Sequence, residues 1–382
     1  MKALMYFLLL FLLFPVGLFA QENNAVIPVQ AGIPTFNNQD GLLSSPKLGD
    51  HDGLGVAIEM TGFFKNSEFF SPLEEGQTLP GIRFAPRLTY QIADKFRMEW
   101  GGYAVYYSGN EHRDKAFNQM FVRMQYAVNP DFNLVLGNIY GGLNHRLIEP
   151  LYQWERHYTA RPESGLQVNF QNKKYFADVW LDWERFIRRG DSKPEKLTFG
   201  ISSSALLTSS ENHFRFSVPF QLLIHHQGGQ IDTSDEPKIV IGNAATGFHA
   251  EWLTGYHLLQ SLALKTYVVG YYDNTENKSV RPFTKGWGVY PVLEARTKLF
   301  TLMAGYWHAT DFYAFEGESL FGSFNPYNPE QQIRNRDLVT AKLLYQQELG
   351  RDLHAGAQVE IYGDCGLKRT DYSFGVSLEF RY

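Results

Sequence analysis

The feature that most constrains the fold is an alternation of apolar and polar side chains, which is clearest in the last eleven residues. There, every second residue is apolar and the residues between them are small or charged. The apolar set consists of Tyr372, Phe374, Val376, Leu378, Phe380 and Tyr382. A period of two is typical of a β-strand with one apolar face, so we expect a C-terminal strand over 371–382.

The same alternation recurs along the chain from Gly53 onward, and no sequence repeat accompanies it. The lack of a repeat disfavours a propeller or a solenoid. We expect sixteen strands, at 53–64, 80–91, 96–107, 116–128, 132–139, 164–171, 175–186, 196–207, 213–225, 238–252, 258–272, 286–296, 299–310, 337–347, 353–362 and 371–382.

The connections between these strands alternate between short turns and longer polar segments. The short ones carry turn residues, as in Asn129-Pro130-Asp131. The longer ones are 65–79, 108–115, 140–163, 187–195, 226–237, 273–285, 311–336 and 363–370. Because the two kinds alternate, all longer loops are expected at one end of the sheet, which fits a closed barrel better than a β-sandwich.

Charge and composition disfavour two other classes of protein. The chain has 35 Lys and Arg against 40 Asp and Glu, a formal net charge of −5, whereas a general nucleic-acid binder carries a basic surplus. Its mean hydropathy of −0.29 is too polar for a bundle of transmembrane helices. The chain is nevertheless rich in aromatic residues, with 30 Phe, 22 Tyr and 7 Trp. Strands that are apolar on one face only account for both properties.

The first twenty residues have the pattern of a secretory signal peptide, because a positive residue and an apolar stretch precede small residues before Gln21. No later apolar run reaches the ~18 residues of a spanning helix. The single cysteine, Cys365, excludes an internal disulfide. We therefore expect a cleaved signal peptide at 1–20, an irregular N-terminal leader at 21–52 and a barrel at 53–382.

In a bilayer only helices and closed barrels satisfy the backbone, and the strands here are apolar on one face and charged on the other. The chain resembles the Gram-negative outer-membrane β-barrels of the porin type. The most specific element is Phe380-Arg381-Tyr382, which is similar to the C-terminal aromatic signal that these barrels present to their assembly machinery. The resemblance implies a location in the outer membrane, an even number of strands, short periplasmic turns and long extracellular loops. It identifies no subfamily.

The charged strand faces would line the lumen of this all-β transmembrane antiparallel barrel. We assign to the lumen wall Arg83, Arg87, Arg123, Asp178 and Asp182. One interpretation of the arginines is a charge filter for solutes. The other, which we favour, is interior salt bridges with Glu99 or with acids of a loop.

In porins with sixteen strands, the loop that corresponds to 140–163 folds into the lumen and narrows it. Pro150 predicts the start of a short helix over 151–158 in this loop. The candidate constriction residues carry both signs of charge and are Arg146, Glu149, Glu155 and Arg156. The alternative is an extracellular loop that packs on the rim of the barrel.

Signals for enzymatic chemistry are weak. The pairs His225/His226 and His145/Glu149 lack partners at the spacing of a known metal site, and neither a Gly-x-Ser-x-Gly elbow nor a phosphate-binding loop occurs. Aromatic residues in loop 311–336 suggest either stacking on sugars or a place at the membrane interface. We therefore predict a protein without enzymatic activity, cofactor or metal.

The function predicted from these observations is a channel for passive diffusion of small hydrophilic solutes. One alternative is a non-conducting barrel that serves as a subunit of a secretion or uptake complex. A second is a barrel-embedded lipid-modifying enzyme, whose scattered residues a single sequence would barely reveal. The expected partners are outer-membrane lipid, the barrel-assembly machinery and small solutes, with no nucleic acid and with a homo-oligomer left open.

Overall fold

Antiparallel strands form one closed sheet in the part of the chain that the structure, a computed structural model, describes. The described residues are 52–109, 118–256, 258–275 and 281–382. The predicted signal peptide and all but the last residue of the predicted leader lie outside them. Both assignments therefore stay predictions.

Each strand pairs with its neighbours in chain order, and the first strand pairs with the last to close the barrel. This confirms the predicted all-β barrel with sixteen strands. The strands are β1 (Gly53–Glu68), β2 (Thr78–Ile92), β3 (Phe96–Tyr107), β4 (Asn118–Asn129), β5 (Phe132–Asn138), β6 (Ser164–Gln171), β7 (Tyr175–Arg185), β8 (Lys196–Leu206), β9 (Phe214–Gln227), β10 (Ile239–Leu253), β11 (Ser261–Asp273), β12 (Lys285–Arg296), β13 (Phe300–Thr310), β14 (Asn335–Gly350), β15 (Leu353–Asp364) and β16 (Arg369–Arg381).

The seam between β1 and β16 closes the sheet by continuous pairing. It runs over ten residue pairs, beginning with Glu59 opposite Arg381. Two reciprocal backbone hydrogen bonds of 2.8 Å between Ile58 and Tyr382 continue it toward the short-turn end. Because hydrocarbon offers no water to unpaired N–H and C=O groups, a sheet can cross a bilayer only when its edges are joined in this way.

Alternation along the strands places apolar side chains outside and polar ones inside. On β2 the exposed fraction is 52% for Leu88 and 5% for Arg87, and on β3 it is 54% for Trp100 and 3% for Glu99. The outer face of β16 carries all of the C-terminal apolar residues, Tyr372, Phe374, Val376, Leu378 and Phe380, followed by exposed Tyr382.

The main hydrophobic core lies in the lumen and is supplied largely by two loops, 139–163 and 311–334. Leu151 and Phe321, one from each loop, are fully buried. Phe321 packs edge-to-face on Trp307 of β13 with ring centroids 5.5 Å apart. A barrel of this size is too wide for wall side chains alone to fill, so the loops complete the core.

Two connections differ from the prediction. The segment 363–370 was expected to be a long loop, but β15 and β16 stay paired as far as Asp364 and Arg369, which leaves only a tight turn. The aromatic residues of loop 311–336 were expected to stack on sugars or to lie at the membrane interface. Four of them lie instead in the lumenal core, because the loop folds inward; these are Phe312, Tyr313, Phe321 and Phe324.

The described helical segments are single turns: the 3₁₀ turns Gly142–His145 and Ser319–Phe321, and α1 (Arg156–Thr159). The helix predicted over 151–158 is therefore wrong in extent. The helix is shorter because the Gln153 N–H donates at 2.7 Å to the carbonyl of Glu316 in the other loop. It therefore makes no hydrogen bond to a carbonyl one turn back in its own segment. Among the described residues, no helix has the length and apolar character needed to cross a membrane.

The outer face of β16 should tolerate apolar residues and reject charge. Val376 lies near the middle of the strand with 52% of its surface exposed. We expect Val376→Arg to lower the free energy of unfolding in lipid bilayers by about 2–4 kcal/mol, because a charge at mid-membrane depth is poorly solvated. Urea titrations followed by tryptophan fluorescence measure this loss. The Val376→Leu variant is the control, and equal stability of the two variants would contradict a lipid-facing position.

Candidate active site in the barrel lumen

Arginines on the first strands are paired with acids inside the barrel. Arg87 of β2 contacts Glu99 at 3.0 Å and also pairs with Glu59 of β1. Arg123 of β4 reaches the same Glu99 at 3.5 Å. All four side chains are buried. The arginines proposed as a charge filter therefore already have acidic partners in the wall.

Loop 139–163 lies inside the lumen rather than on the rim. Its Glu155 pairs with Lys65 of β1 at 3.3 Å. On the next strand, the Arg83 guanidinium donates at 3.1 Å to the backbone carbonyl of His157. These contacts attach the loop to the wall formed by β1 and β2.

A second attachment joins the loop to the opposite side of the seam. The Lys342 ammonium of β14 contacts Glu149 of the loop at 2.5 Å and Glu360 of β15 at 2.9 Å. The Tyr362 hydroxyl also donates to Glu149, at 2.5 Å. Lys65 closes the network by contacting Glu360 at 3.1 Å. Removing one member of such a buried group typically costs about 3–5 kcal/mol, because the partner charges stay buried and unpaired.

His145 connects the loop to β7. Its Nδ1 lies 2.7 Å from Asp178 and its Nε2 lies 2.8 Å from Glu163, while its ring stacks on Trp180 at 3.5 Å. Burial alone would lower the pKa of His145, but the carboxylates of Glu163 and Asp178 outweigh it and raise that pKa to about 10. The imidazolium is thus a fixed positive charge between two acids.

The remaining predicted lumenal residues also have local partners. Asp182 pairs with Arg161 of the loop at 2.9 Å. The guanidinium of Arg146 lies over the Phe176 ring at 3.8 Å. Arg156 pairs at 3.2 Å with a glutamate of loop 311–334, so the two loops are linked to each other as well as to the wall.

A further polar cluster lies near the long-loop end of the barrel, on three consecutive strands. Glu184 is the next-to-last residue of β7, Thr198 the third residue of β8 and His225 the third from the end of β9. The Thr198 hydroxyl donates to Glu184 at 2.9 Å and lies 3.1 Å from His225 Nδ1. His225 Nδ1 is also 3.5 Å from Glu184. A carboxylate, a hydroxyl and an imidazole in contact are groups that can move a proton.

Sequence reasoning missed this cluster because it paired His225 with the adjacent His226. Neighbouring residues of a strand point to opposite faces, so His225 lies in the lumen and His226 outside. The signal that could have found the cluster is the set of inward positions near the ends of consecutive strands. Among the described residues, no group of three or more His, Cys, Asp or Glu is arranged to hold a metal ion.

The charged state of His145 predicts a pH-dependent stability. Since an unfolded histidine has a pKa of about 6.5 and the folded one about 10, the stabilisation is complete below about pH 6.5 and is lost as the pH rises through about 10. We expect the free energy of unfolding of the wild type to fall more between pH 7 and pH 10 than that of His145→Gln. Denaturant titrations in detergent micelles check this, with the outward His226→Gln as the control. Parallel pH profiles of wild type and His145→Gln would contradict the ion pairs.

Comparison with known proteins identifies the family and the fold. A family described as lipid A 3'-O-deacylase-type matches residues 46–382. No curated protein matches the chain. Among solved structures, the chain is similar to a BenF-like porin from Pseudomonas fluorescens Pf-5, with a TM-score of 0.50 and 6% identity over 86% of this chain and 98% of that chain.

Two further solved structures cover similar shares. OprD from Pseudomonas aeruginosa matches with a TM-score of 0.48 and 7% identity over 90% of this chain and 99% of that chain. The trimer form of OmpT from Vibrio cholerae matches with a TM-score of 0.47 and 9% identity over 87% of this chain and 100% of that chain. The oligomeric state of this chain and its other expected partners stay predictions.

The closed sheet and its likeness to the BenF-like porin confirm the porin-type architecture. The family match confirms the location in the Gram-negative outer membrane. They also correct one expectation. The prediction that the protein is not an enzyme is wrong, because the matched family is an enzyme family. The family match spans every described strand of the barrel, and the chain therefore belongs to the lipid A 3'-O-deacylase-type family.

Proposed function

We propose that the protein hydrolyses an ester bond between an acyl chain and a glycolipid of the lipid A type in the outer leaflet of the outer membrane. The observation that carries this proposal is the family match over 46–382. It is the lipid-modifying alternative considered from the sequence. A barrel in the outer membrane meets such a lipid without leaving the bilayer.

The filled lumen supports an enzyme rather than an open pore. In a water-filled channel the charged side chains of the wall would be hydrated. Here Lys342, Glu360 and Arg123 are each only 2% exposed, and Lys342 pairs with Glu149 of loop 139–163. Burying and pairing charge in this way favours a rigid interior that holds side chains in fixed positions.

The long-loop end of β7 has the surface that an anionic glycolipid requires. From Arg185 to Lys193 there are four basic residues and one acid, Asp191. Phe186 in this stretch is 70% exposed. Basic side chains attract anionic lipid headgroups, and an exposed aromatic ring at the interface packs on acyl chains. The Glu184–Thr198–His225 cluster lies on the inner side of the same strand ends.

The proposed activity predicts loss of one acyl chain from lipid A. Purified protein in mixed micelles with lipid A should release free fatty acid, and mass spectrometry should show a product lighter by one acyl group. The heat-unfolded protein is the control for spontaneous hydrolysis. Different gel mobility of unheated and heated samples shows that the protein is folded. Lipid A that stays intact in the presence of such folded protein would contradict the proposal.

A second candidate function is passage of small solutes, which the porin-type barrel favours and which loop 139–163 would control. We infer a closed state, because the loop is joined to the wall at Lys65 and at Lys342. Single-channel recordings in planar bilayers should show no conductance for the wild type. Replacing the loop by a short glycine linker should open a conducting pore if solutes pass. No conductance in the deletion variant, with the barrel still folded on a gel, would contradict this candidate.

A further inference from the structure

We propose that His225 is the general base of the hydrolytic site, acting through its Nε2 atom, and that Thr198 and Glu184 orient it. The inference rests on the proposed ester hydrolysis and assigns the reacting group within it.

The hydrogen bonds around His225 define a relay in one direction. Thr198 Oγ1 donates to Glu184 Oε1 at 2.9 Å, so the same oxygen accepts from its other neighbour, His225 Nδ1, at 3.1 Å. This pattern places the ring proton on Nδ1 and the lone pair on Nε2. An acid behind one ring nitrogen and a free lone pair on the other is the arrangement of a general base.

The free nitrogen lacks a partner although it is buried. His225 is 2% exposed, and its Nε2 has no hydrogen bond to any described residue. Leaving a buried polar atom unpaired costs free energy, and a catalytic role is one explanation for such an atom. The lone pair of Nε2 is therefore available to a water molecule or a substrate group that enters the site.

The other buried histidines lack this combination. His145 has a carboxylate at each nitrogen and carries a fixed charge. His249 has the Tyr267 hydroxyl at Nε2, at 2.5 Å. The Nε2 of His157 faces the Arg83 guanidinium at 3.4 Å. Of these buried histidines, only His225 joins an orienting acid to a free nitrogen.

An aromatic side chain covers the ring. Phe315 of loop 311–334 stacks on His225 with centroids 3.5 Å apart and planes inclined by 13°. The Lys196 ammonium is 5.9 Å from the Phe315 ring, and Glu316, the next residue in sequence, pairs with Arg156 at 3.2 Å. The Phe315 ring therefore shields one face of the His225 imidazole from water.

The chemical step balances with water as the only co-reactant. The oxygen of a water molecule attacks the ester carbonyl carbon while its proton passes to His225 Nε2. The tetrahedral intermediate then collapses, the bond between the carbonyl carbon and the alkoxy oxygen breaks, and Nε2 returns the proton to the leaving alkoxide. The products are a carboxylic acid and an alcohol. During this cycle Glu184, through Thr198, stabilises the transient positive charge of the ring.

The test uses the full-length barrel in micelles with two probes, lipid A and a chromogenic 4-nitrophenyl ester of a fatty acid. We expect His225→Ala to lower kcat/KM on both by about 10²-fold or more, and added imidazole to restore part of the activity. Thr198→Val should lower it by roughly 10²-fold through misplacement of the ring, whereas Thr198→Ser should retain activity. His226→Ala, adjacent in sequence but on the outer face, is the matched control.

The outcomes separate this inference from the proposed function. Wild-type activity in a folded His225→Ala variant overturns the base assignment and leaves the deacylase proposal standing. Cleavage of the chromogenic ester that depends on His225, without cleavage of lipid A, supports the base and overturns the substrate. Loss of activity in Thr198→Ser as well as Thr198→Val overturns the relay. The absence of esterase activity in the folded wild type overturns both.

Discussion

Closure of the sheet at the seam between β1 and β16 is the constraint on which the rest of the structure depends. An unpaired N–H or C=O group in a bilayer costs several kcal/mol, so the strands pair side by side around a ring and the first strand pairs with the last. Sixteen strands give a ring too wide for wall side chains to fill. The loops therefore enter the lumen, and the charged inner face, which would otherwise meet water, becomes the partner of charged loop residues.

The interior of the barrel is held together by apolar packing and by buried ion pairs. Apolar loop residues such as Leu151 and Phe321 form a dry core, while Lys342 and Glu149 form a buried ionic one. The ionic part fixes position more than it adds net stability, because each charge is costly to bury and is tolerated only with its partners in place. A fixed interior suits chemistry at the barrel mouth, since a proton-transferring group must hold its geometry.

The local sequence pattern predicted most of the strands, but it could not predict side-chain contacts between residues far apart in the sequence. The period of two along segments such as 371–382 is a local property, so the strands and their faces followed from residues two apart. The contact of Lys342 with Glu149 joins positions 193 residues apart, and no local rule selects it. For the same reason Glu184, Thr198 and His225 meet only after three strands align. The predicted helix over 151–158 failed because Gln153 bonds to the other loop.

The network around Lys65 has a consequence for how lipid reaches the protein. Lys65 of β1 contacts Glu360 of β15 across the intervening terminal strand, and Arg83 of β2 lies 3.9 Å from Glu379 of β16. These bonds cross the seam from within, so parting β1 from β16 would strand several charges in a low-dielectric interior. Opening of this seam would therefore be a costly route for an acyl chain between the membrane and the lumen.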